Sequence, residues 1–269
     1  MRIPVRYLVK RIIERFILLF AILNFLFFIF YIIPYTFHIN PASFYVPPTY
    51  KGISRSQQIQ AIDRQWGLDA PLYVQYALFI KNMLTFNFGY SLTYGESITT
   101  LILQALPIDL IILAPSLILS TLLAIVLAMV SIVKEGKLID IINSSMAIFT
   151  YFIPAFWVFV IVLYVFGFEL GWFPTNVAEA INGTSGIAYV AALLKFASLP
   201  IIILTILSYG VRMILTRNYG VEAYHSHFVT YLKARGIPPR KILLKHVMRN
   251  SIIPAVTRTG IDFAFILAG

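Results

Sequence analysis

Charge-free apolar runs divide the chain before any other feature does. Residues 16–33 give 18 consecutive positions without Asp, Glu, Lys or Arg, residues 110–133 give 24, residues 141–168 give 28 and residues 196–211 give 16. A helix needs ~20 apolar residues, rising ~1.5 Å each, to cross a hydrocarbon core. The pattern therefore predicts membrane helices at 16–33, 104–133, 141–168 and 196–215, the last extended by Arg212, whose long side chain is expected to snorkel. A fifth run, 251–269, is apolar apart from Arg258 and Asp262 and ends on Ile266-Leu267-Ala268-Gly269 without a polar landing, so it reads as a fifth span. The first run follows Arg2, Arg6, Lys10, Arg11 and Arg15, as in a secretory signal. Such a signal has a shorter apolar region ending in small residues, whereas Pro34-Tyr35-Thr36-Phe37 comes next here. A retained helix is expected.

Two of the intervening segments carry helix signals of their own. Residues 34–103 are too long for a simple connection and predict a folded cap. Ser54 or Ser56 suits the N-cap of a helix at 57–66, Gly67 its C-terminal turn, and Pro71 the start of an amphipathic helix at 72–83. Asn87-Phe88-Gly89 marks a turn. Tyr73, Tyr76, Phe86 and Phe88 suit either the core of this cap or a docking surface. Residues 216–250 read as an elbow: a helix at 222–235, a break at Gly236 and Ile237-Pro238-Pro239, and a second helix at 240–250. Lys241, Lys245 and Arg249 recur at helical spacing in the second arm. The elbow is expected to present an apolar tip, Phe228, Tyr231, Leu232 and Ile237, inside a basic rim, a shape suited to a partner's groove.

Composition narrows the class. Hydrophobic residues make up 59% of the chain and charged residues only 12%, against about 25% in a soluble domain. A net charge of +10 would suggest nucleic acid in a soluble protein; here its placement explains it. Fifteen of the 21 Lys and Arg fall in segments 1–15, 134–140 and the fourth loop from Arg212 to Arg249. Five fall in segments 34–103 and 169–195, and Arg258 lies in the fifth span. The positive-inside rule places the amino terminus and the elbow in the cytoplasm and the cap outside. Anionic lipid headgroups, with no nucleic acid, are then the partners of the basic loops.

Reactive chemistry is sparse. There is no cysteine, and no Gly-x-x-x-x-Gly-Lys-Ser/Thr loop to cradle a nucleotide. His38, His225, His227 and His246 are scattered, and the pair two apart diverges on a helix, so no metal site is expected. Charges within spans point to transport routes, and those here are Asp109, Arg258 and Asp262. Asp109 lies near an outer helix end. Arg258 and Asp262 are four apart, which fits either a mutually satisfied pair or the lining of a polar pathway.

Several motifs in order resemble the transmembrane permease subunits of peptide-type ABC importers, the dipeptide and oligopeptide group. Trp66-Gly67-Leu68-Asp69-Ala70-Pro71-Leu72-Tyr73 is similar to that group's segment after span one, and Phe88-Gly89-Tyr90-Ser91 to its Leu-Gly-x-Ser. Ile153-Pro154-Ala155-Phe156-Trp157 resembles a span-three motif, followed by Leu170-Gly171-Trp172-Phe173-Pro174. Lys233-Ala234-Arg235-Gly236, with His246-Val247-Met248-Arg249-Asn250-Ser251-Ile252-Ile253-Pro254 ending 18 positions after Gly236, is the most specific. Tyr231-Leu232 departs from the family's Thr-Ala, Asn40-Pro41-Ala42 from its Pro-Gly-Asp-Pro, and the family's sixth span is absent from these residues.

The resemblance implies an all-α polytopic membrane protein, a type I permease-like bundle of at least five transmembrane helices with a cytoplasmic coupling-loop elbow. It further implies a non-catalytic subunit in a prokaryotic cell membrane. Its partners would be a second permease subunit, two ATPase subunits that carry ATP and Mg, and an external solute-binding protein, with no cofactor on this chain. Phe228, Tyr231, Leu232, Lys233, Arg235, Gly236 and Ile237 would form the ATPase-coupling interface, and Arg258 and Asp262 would line the pathway. Peptide is the expected cargo, oligosaccharides and nickel being the family's alternatives. A self-sufficient secondary transporter would show inverted repeats, and none is visible.

Overall fold

A computed structural model describes residues 5–44, 46, 54–91 and 93–266. The first four residues of the amino-terminal segment and the last three of the expected fifth span lie outside the described residues. The chain forms two compact units, residues 1–104 and 105–269.

In the first unit, α1 (Val5–Thr36) starts 11 residues before the charge-free run. Arg, Lys and Glu are good helix formers, and Lys10 and Glu14 pair one turn apart at 3.9 Å, so nothing stops the helix at the first charge. Its ladder shifts to a π turn at Phe28–Ile32, just before Pro34, which has no N–H to return to the preceding turn. Ser54 caps α2 (Arg55–Trp66), which ends on Gly67 at φ +67°, and Pro71 precedes α3 (Leu72–Leu84). Gln75 ties the intervening turn, donating to the carbonyls of Leu68 and Ala70 at 2.9 and 2.7 Å. An aromatic cluster joins α1 to α3: Phe27 stacks on Tyr31 and meets the edge of Tyr76, whose hydroxyl donates to Asn24 Oδ1 at 2.9 Å. Tyr76 thus belongs to the unit's own core, while Tyr73 and Phe86 remain exposed. A short hairpin pairs β1 (Tyr90–Ser91) with β2 (Glu96–Ser97).

The second unit is a helical bundle. Its elements are α4 (Ile98–Val133, which begins before the boundary), α5 (Leu138–Phe152), α6 (Ala155–Glu169), α7 (Val177–Ile181), α8 (Gly186–Tyr224), α9 (His227–Ala234) and α10 (residues 239–266). The packing is inside-out. Ser116, Ser120, Ala124 and Ala128 recur every four residues on the buried stripe of α4, whereas Ile118, Leu119, Leu122 and Val126 are exposed. The small residues make room for Tyr209 and Met213, which cluster with Ala124 and Ala128, and large apolar side chains are left outward, where lipid accepts them. α8, flanked by α5 and α10, makes a close approach to α5. A Cβ added at Gly210 would lie 2.1 Å from the backbone oxygen of Ala147.

Among the described residues α1, α4 and α8 are long and apolar enough to span a membrane, and α5 with α6 forms a further candidate bent by 90°. The 28-residue apolar run is therefore two helices, not one straight span. Pro154 has no N–H and pushes Ile153 to an extended ψ of 128°, which ends α5. In α10, Arg258, Asp262 and the flanking threonines lower the apolar content of the segment expected as the fifth span. α10 runs without interruption from the elbow into that segment, through a π turn at Ile242–Val247. Within that turn the helical progression expected for Lys241, Lys245 and Arg249 is altered.

Candidate functional site

The elbow is built from ordinary helix-ending chemistry. α8 continues to Tyr224, extended backbone at Ser226 interrupts it, and α9 follows, so the helix expected at 222–235 is divided. α9 closes in a Schellman motif: Gly236 N–H donates to Lys233 O at 2.9 Å and Ile237 N–H to Leu232 O at 3.2 Å. Gly236 sits at φ +74°, where a Cβ would meet nothing within 4 Å. The motif brings Ile237 and Leu232 together, and both turn inward against the cluster of Met129, Ile132, Val229, Ile242 and Val247. The expected four-residue apolar tip is thus smaller. Tyr231 is 62% exposed and Phe228 borders on exposed, while Leu232 and Ile237 anchor the elbow to α4 and α10. Lys233 Nζ lies 4.7 Å from the Tyr224 ring centre, and the Arg235 guanidinium lies 5.7 Å from that of Tyr231. Phe228, Lys245, His246, Arg249 and Asn250 line a basic cleft of about 380 Å³ beside the tip.

The charges within the bundle are arranged differently from the i,i+4 pair that spacing suggests. Arg258 Nε lies 2.9 Å from Asp262 Oδ1, and Arg212 Nη2 donates to Asp262 Oδ2 from α8. Arg212 does not snorkel: it is 2% exposed, and its Nη1 donates to Ser120 Oγ at 3.0 Å and to Ser208 O at 2.8 Å. A carboxylate fifty residues along the chain, with a serine on α4, engages both Nη groups of a charge that would otherwise have to reach the interface, while Nε finds no partner among the described residues. Asp262 and Arg258 have side-chain exposures of 23% and 45%. All three residues border a cavity of about 310 Å³ between α4, α5, α8 and α10, with Ser116, Tyr151 and Ser208 as further polar lining and leucines and a valine elsewhere.

A second ion pair, not singled out by its spacing, fixes the opposite flank of α8. Arg217 grips Asp140 with two bonds, Nε to Oδ1 at 2.9 Å and Nη2 to Oδ2 at 2.5 Å, and Gly136 N–H adds a third at 2.9 Å. Nearby, His225 Nε2 lies 2.6 Å from Glu135 Oε2. Asp140 in the first turn of α5 was the available signal, since a carboxylate there suits a helix N-terminus, but nothing local indicated Arg217 as its partner.

Comparison with known proteins bears on what these features serve. Residues 120–269 match the family of binding-protein-dependent transport system inner membrane components, and residues 4–113 match the amino-terminal model of such membrane components. The chain is 28% identical over 266 residues to a dipeptide transport system permease protein of Lactococcus lactis subsp. cremoris, covering 98% of this chain and 80% of that protein. It is 26% identical over 265 residues to an oligopeptide transport system permease protein of Haemophilus influenzae, with the same two coverages. An oligopeptide transport system permease protein of Bacillus subtilis is 28% identical over 218 residues, or 81% of this chain and 68% of that one.

Proposed function

The chain belongs to the family of binding-protein-dependent transport system inner membrane components, and from that premise we propose that it is a permease subunit of an ATP-driven peptide importer. The observation that carries the cargo is similarity along 98% of the chain to relatives named as dipeptide and oligopeptide permeases. The subunit forms half of the pathway with a second permease, receives peptide from an external binding protein, and is driven by two separate ATPase subunits that hold ATP and Mg. It performs no bond chemistry itself.

The amino terminus and elbow face the cytoplasm in this reading, because the basic residues remain concentrated there even after Arg212 is assigned to the interior. Tyr231, Phe228, Lys233 and Arg235 dock on the ATPase, while Leu232, Gly236 and Ile237 keep the elbow rigid. Nucleotide-driven closure of the ATPase pair moves the two elbows. Each elbow is packed onto the ends of α4 and α10, so its displacement reaches the spans and shifts the equilibrium between outward and inward access.

The test is reconstitution in proteoliposomes with both ATPase subunits, the second permease and the binding protein, followed by uptake of a radiolabelled dipeptide. Accumulation requiring ATP and the binding protein is expected. Accumulation by this chain alone would assign it to self-sufficient transporters, and uptake of an oligosaccharide or nickel with no peptide uptake would overturn the cargo.

A further inference from the structure

We propose that the cavity between α4, α5, α8 and α10 is a cationic subsite for a carboxylate of the transported solute, with Arg258 as the group that binds it. This rests on the permease reading and names a chemistry within it.

The cluster does not balance. Arg212 and Arg258 carry two positive charges and Asp262 one negative, and the rest of the cavity lining is uncharged. One positive charge is left over inside a membrane bundle, where an uncompensated charge is costly and marks a functional pathway. The surplus belongs to Arg258. Arg212 is enclosed and engages Asp262, Ser120 and Ser208, whereas Arg258 is 45% exposed and its Nη groups make no hydrogen bond among the described residues.

Each Asp262 oxygen faces one arginine: Arg212 hydrogen-bonds Oδ2, while Arg258 pairs with Oδ1 through Nε alone, which leaves its two Nη groups unbonded among the described residues. What remains is a planar fork bordering a cavity with largely apolar walls. That is the arrangement that binds a carboxylate bidentately, and the low dielectric of the walls strengthens the attraction. A volume of about 310 Å³ suits the end of a small peptide better than a whole one. A free peptide bears a carboxylate at its C-terminus; its amide does not.

Phenylglyoxal, which adds to accessible arginine side chains, tests this on the wild-type complex in lipid nanodiscs, with modification read at each arginine by peptide mass spectrometry. Exposed Arg235 and enclosed Arg212 serve as internal references. Millimolar trialanine should slow modification of Arg258 several-fold and leave Arg235 unchanged, while trialanine amide at the same ionic strength should not protect. Equal protection by sodium acetate would assign the site to free carboxylate anions and overturn the solute as its source. Protection by the amide as well, or by none of the three, would overturn the site. In proteoliposomes, Arg258→Gln should lower trialanine uptake several-fold while uptake stays dependent on ATP; unchanged uptake would also count against the subsite. Absence of ATP-dependent uptake by the wild-type complex would refute the permease reading instead, a result separable from the labelling.

Discussion

Asp262→Asn removes the carboxylate that Arg212 and Arg258 share. Arg212, 2% exposed, then keeps Ser120 Oγ and Ser208 O but loses its counter-charge. Breaking a buried pair by removing one partner costs about 3–5 kcal/mol. The surviving bonds, and the amide oxygen offered by Asn, put the expected loss at the lower end, about 3 kcal/mol. At about 2–4 °C per kcal/mol, the thermal midpoint should fall by roughly 6–12 °C. Arg258→Gln is the contrast. It deletes a half-exposed i,i+4 partner worth about 0.2–1 kcal/mol and leaves Asp262 on Arg212, so the midpoint should move by less than about 4 °C. Replacing Arg212 by Met and Asp262 by Leu together should recover most of the loss, since apolar side chains of similar volume substitute well for a buried pair. Tryptophan fluorescence of the purified complex, scanned at one fixed rate, reads all of these variants against the wild type. A loss for Arg258→Gln as large as that for Asp262→Asn, or a double variant no more stable than Asp262→Asn, would refute the assignment of Arg212 as the principal partner.

Three further outcomes follow from the packing and the topology. Gly210→Ala drives a methyl into the Ala147 carbonyl and should cost about 1–3 kcal/mol in the same melt, whereas Gly260→Ala, inside a helix with nothing within 4 Å, should stabilise by about 0.5–1 kcal/mol; equal effects would refute the close approach. Gly236→Val meets no neighbour but forces a β-branched residue to φ +74°, so a strain of about 1–2 kcal/mol should fall on the elbow alone. Peptide-stimulated ATP turnover should drop with the bundle's melting midpoint retained, and normal coupling would refute the role given to the turn. Single cysteines at positions 56 and 226 of this cysteine-free chain should label from opposite sides with an impermeant thiol reagent, and labelling of both from outside would overturn the orientation.

Local chemistry made part of this structure legible. Ser54 and Gly67 bound α2 because a hydroxyl cap and a left-handed glycine act within four residues of the sequence, and the apolar runs show α1, α4 and α8 because lipid demands length. The 90° break at Ile153-Pro154 was not legible. Pro107, Pro115, Pro200 and Pro254 all sit inside helices, so a proline alone does not distinguish a break from a tolerated kink; neighbouring helices decide. The charge cluster was half legible. Spacing brings Arg258 to Asp262, but Arg212 and Ser120 arrive from other helices through packing that no period encodes. The same holds for Arg217 and Asp140, 77 residues apart. In the elbow, residue type marked four apolar side chains as one tip, and the Schellman turn sent two of them inward.

The contact of Gly210 with Ala147 lies two residues from Arg212, and this proximity gives α8 a fulcrum. From Gly210 to Tyr224 is 14 residues, about 21 Å at ~1.5 Å per residue, so a tilt of about 10° about that contact swings the elbow end by ~4 Å. The Arg212 backbone, ~3 Å along the axis from the pivot, moves by only ~0.5 Å in the same tilt. A stroke large enough to be felt at the elbow end is therefore nearly silent at the charge cluster. The ion pair with Asp262 would persist through such a tilt, whereas the Arg217–Asp140 grip, ~10 Å beyond the pivot, would shift by ~2 Å against α5 and is the contact that has to yield for the arm to swing.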